Sequence, residues 1–344
     1  MKISVFAVDL AKYKFQVHGF DARGERRLSR TLSRRGMGRF FAESTHRGEV
    51  VMEACGSAHY WGRYLEELGY RVRLIPAHHV RAYVAGNKTD ANDADAIYEA
   101  SRRVAIRAVP IKALAQQDAL LVHATRERLV KARTALVNQL RGELAERGVV
   151  FGRNTGVLRR GVMALLAGEV GGEVTVELQR GVRERREEWR ALDQQIQACE
   201  RSMRQSYQDT PACQQVGEVE GIGVITATAA VATVGDARQF ASGRQFSAWV
   251  GLTPQERSSG QRRHLGGITK RGDGYLRKLL VHGARAAVLA ARRKTDARSR
   301  WINALVARRG HNKAVVALAN KNARILWALL RTGECYRRAP QSAA

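Results

Sequence analysis

The chain has 344 residues, enough to bury a substantial core in two or three domains, and its 44% hydrophobic content excludes global disorder. Its 59 Lys and Arg against 32 Asp and Glu give a formal net charge of +27, which points to a polyanionic partner, nucleic acid first. No run approaches the roughly 20 apolar residues of a membrane-spanning helix, and the four scattered cysteines, Cys55, Cys199, Cys213 and Cys335, form neither a zinc ligand set nor a disulfide framework. The chain reads as soluble and cytoplasmic.

In chain order, ISVFAVDL (Ile3 to Leu10) predicts an apolar strand ending in an acid, and KFQVHGFD (Lys14 to Asp21) a second strand close enough to pair with it as a hairpin. RRLSRTLS adds a third strand. RGMGRFFAEST then predicts a helix, GEVVMEA (Gly48 to Ala54) a buried strand, SAHYWGRYLEELGY a helix capped by Ser57, and YRVRLIP (Tyr70 to Pro76) another strand. Three antiparallel strands followed by strand, helix and strand is the order of a ribonuclease H-like α/β domain.

From Asp118 to Arg147 the pattern turns helical, with Leu129, Leu136, Leu140 and Leu144 at spacings of seven and four. Phe151 to Gly181 is Gly-rich and carries no clear periodicity. From Val182, the positions Trp189, Leu192, Ile196, Cys199 and Met203 repeat at alternating steps of three and four, a heptad seam. Two uses fit it: packing against the helix's own domain, or a coiled coil joining protomers. Pro211 marks a boundary, and in VEGIGVITATAAVATVGD (Val219 to Asp236) a Gly-Ile-Gly turn through Gly221 and Gly223 separates helical segments, resembling half of a helix-hairpin-helix whose backbone N–H groups face a phosphate.

NKTDANDADAI (Asn87 to Ile97) concentrates acid in this basic chain: between Val84 and Ser101 the only base is Lys88. Asp90 and Asp93 are three apart at a helix start, so their carboxylates share one face, whereas Asp95 points away and reads as structural. Asp9 and Glu53 each end an apolar strand, where a carboxylate is costly without a partner. In the expected sheet those two strand ends lie side by side and face the later helix, so four carboxylates converge. Such an oxygen-rich anionic cluster suits Mg²⁺ or Mn²⁺. His78 and His79 have no ligand spacing and read as a loop contact to nucleic acid.

From Arg257 to Lys294 there are eleven Lys or Arg and one acid, Asp273, with five glycines between Gly260 and Gly274. Arg262, Arg263, Lys270, Arg271, Arg277 and Lys278 make this a phosphate-binding surface by composition, and the glycines let backbone approach a ligand. Ser258 and Ser259 sit in that loop, where spacing alone describes a turn.

Together, VDLAK with Asp9, MEACGSAHYW with Glu53, NKTDANDADAI, GIGVITA, FSAWVGLTP, and SSG followed by ITKRGDGYLRKLL resemble the DEDD transposases of the IS110 insertion-sequence type, the bridge-RNA-guided serine recombinases. The resemblance covers roughly Met1 to Arg107 and Val216 to Lys294. It implies a RuvC-like domain over 1–145, a helical coiled-coil linker over 146–210, a mainly helical transposase domain with a nucleophilic serine over 211–335, and a tail over 336–344. It implies that Asp9, Glu53, Asp90 and Asp93 bind Mg²⁺, and that the serine directly before glycine, Ser259, attacks DNA to give a covalent phosphoserine. It further implies donor and target DNA and a structured noncoding guide RNA as partners. The expected assembly is a tetramer, a dimer of dimers in which one protomer's acids meet another's serine, in a bacterial, nucleoid-associated setting. The alternatives are a RuvC-like hydrolytic nuclease of the junction-resolving type and a catalytically decayed RNA- or DNA-binding protein.

Overall fold

A computed structural model describes residues 3–84, 90–260, 262 and 264–337, the side chain of Asp90 excepted. The chain forms two compact units, Met1–Leu114 with Val234–Ala241, and Ala115–Thr233 with Ser242–Ala344.

The first unit is built on a five-stranded mixed sheet. Strands β1 (Val5–Asp9), β2 (Lys14–Phe20) and β3 (Arg26–Ser33) are antiparallel, while β4 (Glu49–Glu53) and β5 (Arg71–Ile75) run parallel to β1, in the order β3-β2-β1-β4-β5. Side chains alternate across a strand, and this alternation divides the core in two. Phe6, Val8, Val50, Met52 and Leu74 pack with Met37 and Phe41 of α1 (Arg34–Glu43) and with Trp61 and Leu65 of α2 (Ala58–Glu67). Ala7, Val51 and Ile75 pack on the other face with Ala96, Ile97 and Ala100 of α4 (Asp90–Ser101). A single-turn helix, α3 (Ala77–Val80), follows β5 and carries His78 and His79, whose ring centroids lie 4.1 Å apart at an interplanar angle of 40°. Ser57 does stand at the start of α2, but in a left-handed conformation (φ 68°) with no capping hydrogen bond from its side chain, unlike the expected cap.

Helix α4 runs against the direction of β1. Tyr98 stacks on Phe20, the residue paired with Val5, and Asp95 meets His18, the residue paired with Ala7. One turn earlier the helix therefore reaches the level of Asp9.

In the second unit, α5 (Leu114–Ala145) and α7 (Val176–Asp209) lie antiparallel. Arg126, Arg133 and Glu143 of α5 pair in turn with Glu200, Asp193 and Arg185 of α7. Between them Leu136, Val137, Leu140 and Leu144 pack with Val182 and Trp189, closed off by Leu158, Val162 and Leu165 of α6 (Thr155–Leu166). Val182, Trp189, Ile196 and Met203, spaced by seven, are all buried within the chain. Of the two uses open to the heptad seam, the structure has the first, and those four side chains are not exposed for a coiled coil between protomers. Helix α6 also occupies part of the Gly-rich stretch that had no readable period.

The remaining elements are α8 (Pro211–Gly217), α9 (Val224–Val234), α10 (Gly243–Val250), the two-stranded hairpin of β6 (Pro254–Glu256) and β7 (Leu265–Ile268), and α11 (Gly274–Ala291), α12 (Ala297–Arg309) and α13 (His311–Thr332). Among the described residues no helix is long and apolar enough to cross a membrane.

Candidate active site

Asp9 follows Val8, which pairs with Met52, so Asp9 and Glu53 stand side by side where β1 and β4 end. By alternation both fall on the face of Ala7 and Val51, the face α4 covers. Asp93 precedes Ala96 and Ile97 by three and four residues, so it shares the stripe of α4 that meets this face. Asp90 opens the helix one turn closer to the strand ends, though its side chain, like Asn87, Lys88 and Thr89 of the acidic motif, lies outside the described residues. The Cys55 thiol, two residues past Glu53, is pushed up to about 11, first by burial and then by the charges of Glu53 and Asp9. Among the described residues no three Asp, Glu, His or Cys side chains are gathered around one point, so the convergence rests on strand register and helix direction. The donors are hard carboxylate oxygens, and their chemistry fits a divalent metal.

Asp95 is committed elsewhere, as its spacing from Asp93 predicts. Thr31 Oγ1 donates to Gln16 Oε1 (2.7 Å), which orients the amide so that its nitrogen donates to Ser29 Oγ (3.1 Å) and to His18 Nε2 (2.9 Å). With Nε2 accepting, the buried His18 ring carries its proton on Nδ1 and donates it to Asp95 Oδ1 (2.6 Å), while Arg26 donates to Asp95 Oδ2 (2.9 Å). This chain of bonds fixes the rotation of α4, and with it the direction of Asp93. Nothing in the local sequence marks His18 or Gln16, because their partners are distant. Asp95→Ala leaves a buried N–H without an acceptor, a cost of about 1–3 kcal/mol. We expect a lower melting temperature and about a tenfold loss of activity, with Asp95→Asn closer to wild type because the acceptor is kept. An Asp95→Ala loss as deep as that of Asp9→Ala would instead place Asp95 among the reacting groups.

In the second unit, Ser258 and Ser259 lie at the tip of the β6–β7 hairpin. Ser258 Oγ donates to Glu256 Oε1 (2.8 Å) and accepts from the His264 amide (3.2 Å), so it braces the turn. Ser259 is exposed and bridges Arg262 through its backbone alone, so its hydroxyl has no partner among the described residues.

The basic candidates divide. Arg262, Lys270 and Arg271 are exposed, and Arg263 lies outside the described residues. Arg277 instead donates to Val250 O (2.9 Å) and Arg271 O (3.0 Å), and Lys278 donates to Glu127 (2.7 Å), so both hold structure together. The Gly-Ile-Gly turn does join two helices, α8 and α9. Gly221, however, has a packing reason to be glycine: a Cβ there would come 2.9 Å from the Gly283 carbonyl oxygen of α11, and its φ is +90°. A Cβ on Gly223 would meet nothing, which leaves that residue open to a ligand.

Residues 6–147 match the DEDD transposase family of IS110, and residues 213–300 match the Transposase IS116/IS110/IS902 family. The chain is 48% identical over 340 residues to a protein of Pseudomonas aeruginosa described as "Probable family 20 transposase", covering 98% of this chain and 99% of that one. It is 42% identical to the transposase of insertion sequence element IS1111A of Coxiella burnetii, over 97% of this chain and 92% of the relative, and 33% identical to that of IS1328 of Yersinia enterocolitica, over 97% and 98%. DEDD domains of this kind typically use divalent metal ions. The two family matches fall on the two stretches where the acids and the serine hairpin lie, and with relatives aligned nearly end to end the chain belongs to the IS110-type DEDD transposases.

Proposed function

We propose that this insertion-sequence transposase breaks and rejoins DNA by transesterification at a serine. The observation that carries the reading is the placement of Asp9 beside Glu53 with the N-terminal end of α4, bearing Asp90 and Asp93, directed at them. These four acids would hold Mg²⁺, or Mn²⁺ in its place. When bound, the ion supplies the positive charge that polarises the scissile phosphodiester and stabilises its transition state. Ser259 Oγ forms a bond to phosphorus as a deoxyribose hydroxyl leaves, and the serine proton is lost in the same exchange. One phosphate ester replaces another, so a hydroxyl from a second strand can reverse the step and complete strand exchange without an external energy source. The Ser259 hydroxyl, without a partner among the described residues and beside a Ser258 already engaged with Glu256 and the His264 amide, supports Ser259 as the nucleophile.

The family resemblance supports two finer readings: guidance by a structured noncoding RNA, and a tetramer in which one protomer's acids act with another's serine. Because the heptad seam is consumed by α5 and α7, such a tetramer would use other surfaces.

Two experiments address this reading. In the first, cleavage products are analysed for protein-linked DNA: an adduct on serine supports transesterification, whereas free ends and no adduct indicate hydrolysis by water at the same acids. In the second, duplex affinity is titrated against salt. If about six phosphates are neutralised, log affinity falls with log salt at a slope near −5, and Lys270→Ala together with Arg271→Ala makes it shallower by about two. An unchanged slope places the phosphate contacts elsewhere. Arg277→Ala is expected to act by loosening the loop.

A further inference from the structure

The end of the sheet that carries Asp9 and Glu53 is rimmed by aromatic and basic side chains that the acids do not use. Tyr13 stands in the turn between β1 and β2 and is 70% exposed. Lys14 pairs with Ser33 at the end of β3, so Arg34 and Arg35, which open α1, come to the same end. Because β4 is parallel to β1, α2 also starts there after a short turn, and its Tyr60 is 48% exposed. Cations already lie against these rings. The Arg34 guanidinium is 5.3 Å from the centroid of Tyr60 and 5.4 Å from that of Trp61, and the Lys12 ammonium is 5.1 Å from Tyr13. Lys12, Lys14, Arg34 and Arg35 are all exposed, and none pairs with a carboxylate among the described residues.

Packing within the first unit does not fully account for this rim: Tyr60 packs on Trp61 and Tyr64 yet stays about half exposed, Tyr13 is mostly exposed, and among the described residues the four cations pair with no carboxylate. Its chemistry is that of a surface for a nucleic-acid strand: cations for successive phosphates, and aromatic and guanidinium planes for bases. A base can use such a plane only when it is not already stacked inside a duplex, so the ring faces select unpaired nucleotides. We propose that Tyr13 and Tyr60, with Lys12, Lys14, Arg34 and Arg35, bind unpaired deoxynucleotides flanking the phosphodiester presented to Asp9 and Glu53. The assignment to that strand rests on the active-site reading above, whereas binding of unpaired nucleotides does not.

The test uses the full chain, without divalent metal, and three fluorescent probes of one sequence: single-stranded DNA, the blunt DNA duplex and single-stranded RNA. Tyr13→Ala and Tyr60→Ala are each expected to weaken single-stranded DNA binding about tenfold, with less than about a twofold change on the duplex. Tyr13→Phe and Tyr60→Phe should bind as wild type, which separates loss of stacking from loss of fold. Unchanged single-strand affinity in the Ala variants, an equal loss on the duplex, or a loss confined to RNA would each overturn the proposal. Asp9→Ala, run in parallel, should keep single-strand binding while losing cleavage. If it cleaves normally, the active-site reading fails and the binding result is judged separately.

Discussion

Replacing Asp9 or Glu53 with Ala is expected to lower metal-dependent DNA strand cleavage by about a thousandfold or more, while the protein stays folded. Each carboxylate ends a strand on the face covered by α4, and each contributes negative charge where a divalent ion must be held against a phosphodiester that is itself anionic. Losing a group that stabilises the transition state electrostatically typically costs about 10²–10³ in rate, and loss of an ion ligand adds weaker ion binding to that. Close carboxylates repel one another by several kcal/mol at an effective dielectric near 20, so truncating one relieves repulsion in the ion-free protein. The melting temperature without metal should hold or rise, and the Cys55 thiol should titrate lower because one of the charges raising it is gone. The measurements are cleavage of labelled DNA across a Mg²⁺ and Mn²⁺ titration, and thermal unfolding with and without metal. Asp90→Ala and Asp93→Ala should match in depth, and full activity in either would remove that residue from the site.

If the proposed serine transesterification holds, Ser259→Ala is expected to abolish the covalent protein–DNA linkage, while Ser258→Ala is expected to retain it at reduced yield. The two serines are neighbours at a hairpin tip, yet their hydroxyls are in different situations. Ser258 joins Glu256 to the His264 amide, so its loss loosens the turn that presents Ser259. The Ser259 hydroxyl is exposed and has no partner among the described residues, as a nucleophile awaiting phosphorus would be. A serine hydroxyl is a weak nucleophile at its free pKa and needs activation, so the adduct should also vanish in Asp9→Ala with Ser259 intact. Trapping with metal, digesting the DNA and locating the residual nucleotide by mass spectrometry distinguishes the two positions. A nucleotide on Ser258 moves the assignment by one residue. Normal cleavage with no adduct in either serine variant assigns the chemistry to water.

The hairpin, the buried central strand and the long helices were legible in the sequence, because burial leaves a local signature: a continuous apolar run in VFAVD, spacings of seven and four in the leucines of α5. The four acids were legible for a related reason. A carboxylate ending an apolar strand, or an acid-rich helix start in a chain of charge +27, departs from what packing alone requires. Periodicity records that a side chain is buried without recording against what, so tertiary structure decided the partners. The heptad of α7 reads the same whether it faces α5 or a second protomer, and only antiparallel pairing with Leu136, Leu140 and Leu144 resolved it. Arg277 and Lys278 look like phosphate ligands in a list of charges, but folding brings them to Val250 O and Glu127. The direction of α4, on which the acidic site depends, is set by His18 meeting Asp95 across 77 residues and by Phe20 stacking on Tyr98. Residue types and spacing thus determined which groups are candidates for the chemistry, while hydrogen bonds and ring contacts between distant segments, which leave no local period, decided how the elements bearing them are placed.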